Sequence, residues 1–281
     1  MKTFIRFFLL QILALHVTTF SCSAVESEKK INDYFKNVLL IINFNHPYYD
    51  NIEFLKEIYG PYFPNIVFYG DTPNPKYPEI NIVNHNGGYF IHKAISHAMQ
   101  KWPNYKGYIC CQDDCFMNFW NFTRLDKNKI WLHQYWTASL KSKDHWWPWW
   151  NRPDGFFAAV KAHKKLPDQS RKMLEKNCGQ NNFAFTWADF VYFPNKYRKE
   201  FIKTSQHFNK PNVFIEIAIP TIILCMEDYE NIEKLNPCWG GTINSIDLAS
   251  YSDAVDWLHP LKFSKIENRE FIKQVVMNKF H

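Results

Sequence analysis

Apolar and polar positions along this chain fall into blocks that read as strands and helices. Val38 to Phe44 is a continuous apolar run, the pattern of a strand buried on both faces. From Asp50 to Tyr59 the apolar residues sit at Ile52, Phe54, Leu55, Ile58 and Tyr59, which is helical spacing, and Gly60-Pro61 ends the run. Asn65 to Tyr69 predicts a second strand, closed by Gly70-Asp71 and a proline-rich turn through Pro78, and Ile80 to Val83 predicts a third. Gly87-Gly88 then opens a helix to about Trp102, with Phe90, Ile91, Ala94, Ile95 and Ala98 on one face. Tyr108 to Cys111 is a fourth strand and ends on Gln112-Asp113-Asp114. Repeated strand-helix-strand units require right-handed crossovers, so the fold class is α/β with a mostly parallel central sheet. Ligands of such sheets sit beyond the carboxyl ends of the strands. Asn43, Asn45, His46, Gly70, Asp71, Asp113 and Asp114 all fall at those ends.

The pattern lapses from about Lys141 to Asn182, a stretch rich in Trp, Lys, Pro and Asn that contains His145-Trp146-Trp147-Pro148-Trp149-Trp150. Phe190 to Phe193 predicts another strand, Lys196 to His207 a helix, Val213 to Met226 an apolar segment, and Lys262 to Asn278 an amphipathic tail. No linker, charge block or repeat divides residues 37–281, which therefore read as one domain. Hydrophobic residues make up 46% of the chain, ample for a sizeable core.

Lys2 and Arg6, the apolar run from Phe7 to Leu15 and the small residues Ser21-Cys22-Ser23-Ala24 make residues 1–24 a signal peptide or signal anchor, with 25–36 as a linker. The body is then expected in the secretory pathway, in the Golgi lumen or secreted, with a membrane as partner only if the segment stays on as an anchor. Of 33 Lys and Arg, two lie in that leader; the remaining 31 face 27 acidic residues without any basic stripe, so a nucleic-acid partner is not expected. The six cysteines beyond Cys22 match no zinc pattern. Cys178 and Cys238, in polar surroundings, are the first choice for a disulfide in an oxidising lumen. Asn121-Phe122-Thr123 is a glycosylation sequon.

Two carboxylates ending a buried strand repel each other unless water, donors or a cation neutralise them. Mg²⁺ or Mn²⁺ is the natural partner, since hard cations take carboxylate oxygens and keep positions open for phosphate. A solvated Asp-Asp turn capping the backbone is the plainer reading of the dipeptide alone; its place at the ligand edge tips the balance. The Trp run offers flat faces for sugar rings, and is equally a piece of core or a membrane-facing belt. Gly87-Gly88 leaves room for a base or phosphate beside free N–H groups, or simply makes a turn.

This order of elements resembles the GT-A class of nucleotide-sugar glycosyltransferases, a single Rossmann-like domain, and within it the STELLO-type group. Gln112-Asp113-Asp114 resembles the Asp-x-Asp motif of that class, with Gln112 in place of the first acid. Ala188-Asp189-Phe190-Val191-Tyr192-Phe193-Pro194 resembles the strand after the motif. Phe214 to Thr221 resembles the segment carrying an acid that faces the acceptor, and Trp257-Leu258-His259-Pro260-Leu261-Lys262 resembles the late histidine segment. The resemblance implies Asp114 and His259 as ligands of Mn²⁺ or Mg²⁺ and Glu216 as the catalytic base, and Asn43, Asp71 and Asp113, at the carboxyl ends of the strands, are the candidate donor-binding residues. It implies a nucleotide-sugar donor and a glycan or glycoprotein acceptor. Glu216 is equally a structural acid paired with Lys or Arg, and His259 a packed histidine. Two other functions fit the same residues: a glycan-binding protein of this fold without turnover, and a metal-dependent hydrolase, although no second ligand cluster stands out for the latter.

Overall fold

A computed structural model describes residues 28–239 and 251–280. The signal-like segment 1–24 lies outside the described residues. Residues 28–35, expected within a linker, form helix α1 and bury Ile31 and Phe35.

Seven strands form the central sheet: β1 (Val38–Asn43), β2 (Ile66–Gly70), β3 (Asn81–Ile82), β4 (Gly107–Gln112), β6 (Trp131–Leu132), β9 (Phe190–Pro194) and β10 (Glu233–Lys234). Their order is β10-β6-β9-β4-β1-β2-β3. Every neighbouring pair is parallel except those made by β9, which runs against both β4 and β6. The mixed α/β, Rossmann-like architecture is thus as the sequence predicts, with one reversed strand.

Side-chain alternation explains why the central strands are apolar throughout. Leu39 and Ile41 of β1, Tyr108 and Cys110 of β4, and Val191 and Phe193 of β9 enter one core. Val38, Leu40, Ile42, Ile109, Cys111, Phe190 and Tyr192 enter the other. Burying each aliphatic side chain contributes roughly 1.5–3 kcal/mol. The first core is closed by α3 (His92–Lys101), α6 (Arg198–Asn209) and α7 (Ile215–Leu224), the second by α1, α2 (Ile52–Tyr59) and α8 (Ile266–Phe280).

Between Lys141 and Asn182, where no regular structure was expected, the chain forms α4 (Ala158–His163) and α5 (Asp168–Cys178). Only Ser170, Leu174 and Cys178 of α5 are buried, too thin a stripe to stand out by period. Two small sheets flank the main one. β7 (Trp136–Ser139) pairs antiparallel with β8 (Asn182–Phe185). β5 (Phe116–Met117), β12 (Trp257–His259) and β11 (Pro237–Trp239) form the other.

All six cysteines among the described residues are free. Cys178 is not in a loop but ends α5, buried, while Cys238 is exposed, so the expected bridge is absent. Asn121 of the sequon donates its amide N–H groups to the carbonyls of Asp253 and Val255, both at 2.8 Å, fastening the loop that precedes β12.

Candidate functional site

The site begins where β4 runs out. Gln112, Asp113 and Asp114 are all buried. The chain then turns into β5, and β12 pairs antiparallel with it, Leu258 opposite Phe116. That register sets the next residue of β12, His259, beside Asp114, with His259 Nε2 at 3.1 Å from Asp114 Oδ1. The Leu261 N–H donates to the Asp114 carbonyl at 2.7 Å, and the Lys262 ammonium pairs with Asp114 Oδ2. The late histidine segment and the acidic pair therefore meet.

Asp189 closes the cluster from the other side. Because β9 is antiparallel to β4, its start lies at the carboxyl end of β4, so Asp189, just before Phe190, reaches the same edge. Its Oδ2 is 3.3 Å from His259 Nδ1, and its Oδ1 accepts from Gln112 Nε2 at 2.8 Å. Gln112 Oε1 in turn accepts from Asn45 Nδ2 at 3.2 Å. Asp189 and Lys262 lie within segments that carry the resemblance, but nothing in the sequence marks either as a site residue. The only signal for Asp189 was an acid next to an apolar run. Its relevance comes from a strand reversal that composition and periodicity do not show.

The charges in this cluster are unequal. Burial would raise the Asp114 carboxyl, but the imidazole of His259 and the ammonium of Lys262 outweigh it and hold its pKa at about 2. Burial and the neighbouring Asp114 charge push Asp113 well above the carboxylate range. Burial would lower His259, yet the Asp189 and Asp114 carboxylates raise it. Asp113 Oδ1 accepts the Asn45 N–H at 3.3 Å.

The other candidates surround this centre. Asn43, fully buried at the end of β1, leaves both amide atoms without a hydrogen-bond partner. Asp71 receives the N–H of His85 at 2.7 Å and of Gly87 at 2.5 Å, so its carboxylate shapes the turn before α3. In that turn Gly88 has φ +83° and lies so close to Asn45 that an added Cβ would stand 2.7 Å from the Asn45 Cβ. A side chain there would press on the residue that steadies Gln112.

Glu216 stands in the first turn of α7, whose backbone is tied to residue 186: the Thr186 N–H donates to the Glu216 carbonyl at 2.9 Å. Its Oε2 is covered and has no hydrogen-bond partner. Burial, then the charge of Asp189, raise its pKa well above the usual value. No Lys or Arg is paired with it among the described residues. Glu216 lines a cavity of about 300 Å³ walled by Trp136, Trp146, Trp147, Trp149, Phe185 and Trp187. The Trp run thus splits: Trp150 is core, Trp147 stacks on Phe185 with ring centroids 4.5 Å apart, and Trp146 remains 71% exposed at the cavity. Residues 185–189 join the aromatic cavity to the acidic cluster in one short stretch of chain.

Among the described residues no group of three or more His, Cys, Asp or Glu side chains is arranged to hold a metal ion. Two ligands nonetheless suit a cation of the Mg²⁺ kind, which takes one or two carboxylates and completes its shell with phosphate and water. Asp114 Oδ1 and Asp189 Oδ2 lie close to His259 but are not aligned as hydrogen bonds, leaving buried carboxylate oxygens unpartnered. The residues that could hold such an ion are Asp114, through Oδ1, and His259 in its neutral form.

A Rossmann-like sheet with a buried acid-histidine cluster at its ligand edge and an acid-floored aromatic cavity alongside defines a class of sheet-edge ligand site. In sequence the chain is similar to two proteins of Arabidopsis thaliana. One is named probable glycosyltransferase STELLO2 (21% identical over 197 residues, 66% of this chain and 25% of that protein), the other probable glycosyltransferase STELLO1 (22% over 202 residues, 66% and 24%). The STELLO-like resemblance carried by the motifs is thus found across most of the chain, which spans about a quarter of the length of those relatives. No family model matches.

Proposed function

We propose that this chain is a glycosyltransferase moving a sugar from a nucleotide-sugar donor to a hydroxyl of a glycan or glycoprotein, with Mn²⁺ or Mg²⁺ held by Asp114 and His259. The observation that carries this reading is the junction at Asp189: its Oδ2 is 3.3 Å from His259 Nδ1 on one side, and on the other its charge adds to the burial that raises the pKa of Glu216. A diphosphate-type centre and a proton acceptor therefore share one edge. When bound, the cation supplies the positive charge that stabilises a departing diphosphate.

In the reaction, the acceptor oxygen forms the new bond to the anomeric carbon as the bond to the diphosphate breaks. The electron pair leaves with the nucleoside diphosphate, and the acceptor's proton passes to the Glu216 carboxylate. Once ionised, Glu216 is a stronger base than an exposed carboxylate, and because its pKa is raised, transfer is expected to increase with pH as the group gives up its proton. The tryptophans around it offer apolar faces against which an acceptor ring would lie. A cavity of this volume is at the small end of ligand sites, so it suits one ring rather than an extended chain. Asn43, Asp113 and the Asp71-held turn form the donor side. We place the protein in the secretory pathway, Golgi lumen or extracellular, on the leader-like residues 1–24.

Calorimetry with UDP and GDP in Mn²⁺ tests the reading: Asp114→Asn should abolish binding, whereas Glu216→Gln should keep binding and lose transfer. Unchanged binding in Asp114→Asn refutes it. A glycan-binding protein without turnover is the second reading, favoured by Gln112, whose side chain is spent on Asn45 and Asp189 where the related motif carries an acid. It requires glycan binding that survives chelation.

A further inference from the structure

The aromatic cavity beside Glu216 contains an acid and no base. Apart from aromatic rings and Pro148, its described lining consists of Thr186 and Glu216. The Thr186 hydroxyl is engaged by the Gln134 carbonyl at 2.5 Å and its N–H by the Glu216 carbonyl at 2.9 Å. Beyond indole N–H groups, the Glu216 carboxyl is thus the polar side chain left to meet a ligand, and its Oε2 has no hydrogen-bond partner.

The basic groups around the cavity supply it with no counter-charge. Arg152 lies 4.8 Å from the ring centroid of Trp149, but its guanidinium is paired with Asp154 at 3.0 Å. His133 stacks on Trp187 with centroids 5.1 Å apart, and His145 lies 5.4 Å from Trp146. Burial lowers the pKa of both imidazoles, so neither is charged near neutral pH. The charge that acts on Glu216 is that of Asp189, an acid on an acid.

A buried carboxyl so placed is completed by a cation. Indole faces draw the same guest, a positive charge with an apolar skin. A bare metal ion lacks that skin and needs several oxygen ligands. We propose that this cavity is a cage for an ammonium group carried by the acceptor, quaternary or the protonated amine of an amino sugar, with Glu216 as counter-ion and the tryptophans as walls. The inference rests on the reading of the cavity as the acceptor side, and it deepens that reading. An ammonium has no lone pair and is not the nucleophile; it sits beside the accepting hydroxyl. Its charge favours the ionised Glu216 that takes the hydroxyl proton.

NMR titration of the full chain tests the cage with two pairs of probes matched in shape. One is choline against its neutral isostere, in which carbon replaces the nitrogen; the other is glucosamine against glucose. At least one cation should bind about tenfold more tightly than its neutral partner, as a desolvated cation–π site with a counter-ion provides. The pair that shows the preference tells a quaternary ammonium from an amino sugar. Glu216→Gln and Trp146→Ala should each cut the preference about fivefold, with circular dichroism confirming folding. Trp146 is 71% exposed, so its truncation spares the core and decides alone should Glu216→Gln not fold. Equal binding within both pairs, no detectable binding of either cation, or a preference unchanged in either folded variant overturns the cage. UDP binding by the wild type in Mn²⁺ is read separately, and its failure overturns the donor reading instead.

Discussion

Glu216 shows how a single side chain reports on its surroundings. Its folded-state pKa is raised, first by burial and then by Asp189. The folded protein therefore holds a proton that the unfolded chain gives up at the ordinary carboxyl value of about 4.3. Stability linked to this group is complete below that value and falls as pH rises through the raised pKa. Glu216→Gln has nothing to titrate, so its melting temperature should match wild type near pH 4 and exceed it increasingly toward neutrality. Thermal melts across that range check the sign; a variant less stable at neutral pH than at pH 4, relative to wild type, would show Glu216 stabilised as an anion.

At the scale of elements, β12 depends on a buried anchor. Asp256, just before it, is fully buried and receives both terminal nitrogens of Arg124, at 2.8 and 2.9 Å, and the Asn236 N–H at 2.7 Å. Arg124→Met should destabilise the fold by on the order of 2 kcal/mol, less than for a fully buried pair because the guanidinium is half exposed and Asp256 keeps its backbone donor. Because β12 carries His259, the same variant should weaken Mn²⁺-dependent diphosphate binding, measurable by calorimetry below the melting range. β12 itself also marks where the sequence falls silent. β1, β2, β4 and β9 are legible because burial on two faces demands unbroken apolar runs, as in Val38 to Ile42. Strands of two or three residues, such as β5 and β12, carry no period, and their pairing depends on contacts remote in sequence. Hence Asp114 and His259 could be named from motif resemblance, while the Asp189 bridge and the Lys262 contact needed the fold.

The whole molecule gathers its sheet edge from distant parts of the chain: Asn43 at the end of β1, Asp113 and Asp114 after β4, Asp189 before β9, and His259 with Lys262 around β12. Most of the central sheet is complete by β9, before the last of these segments exists. The 148 positions separating Asp114 from Lys262 have a meaning in time as well as space. At ribosomal speeds of roughly 5–20 residues per second, they represent about 7–30 s of synthesis. Throughout that interval the nascent chain can lay down β1 to β4 while Asp114 waits without its lysine. The maturing protein thus has its scaffold strands well before the sheet-edge cluster is complete, and an unfinished chain lacks the His259 and Lys262 side of it by its order of manufacture.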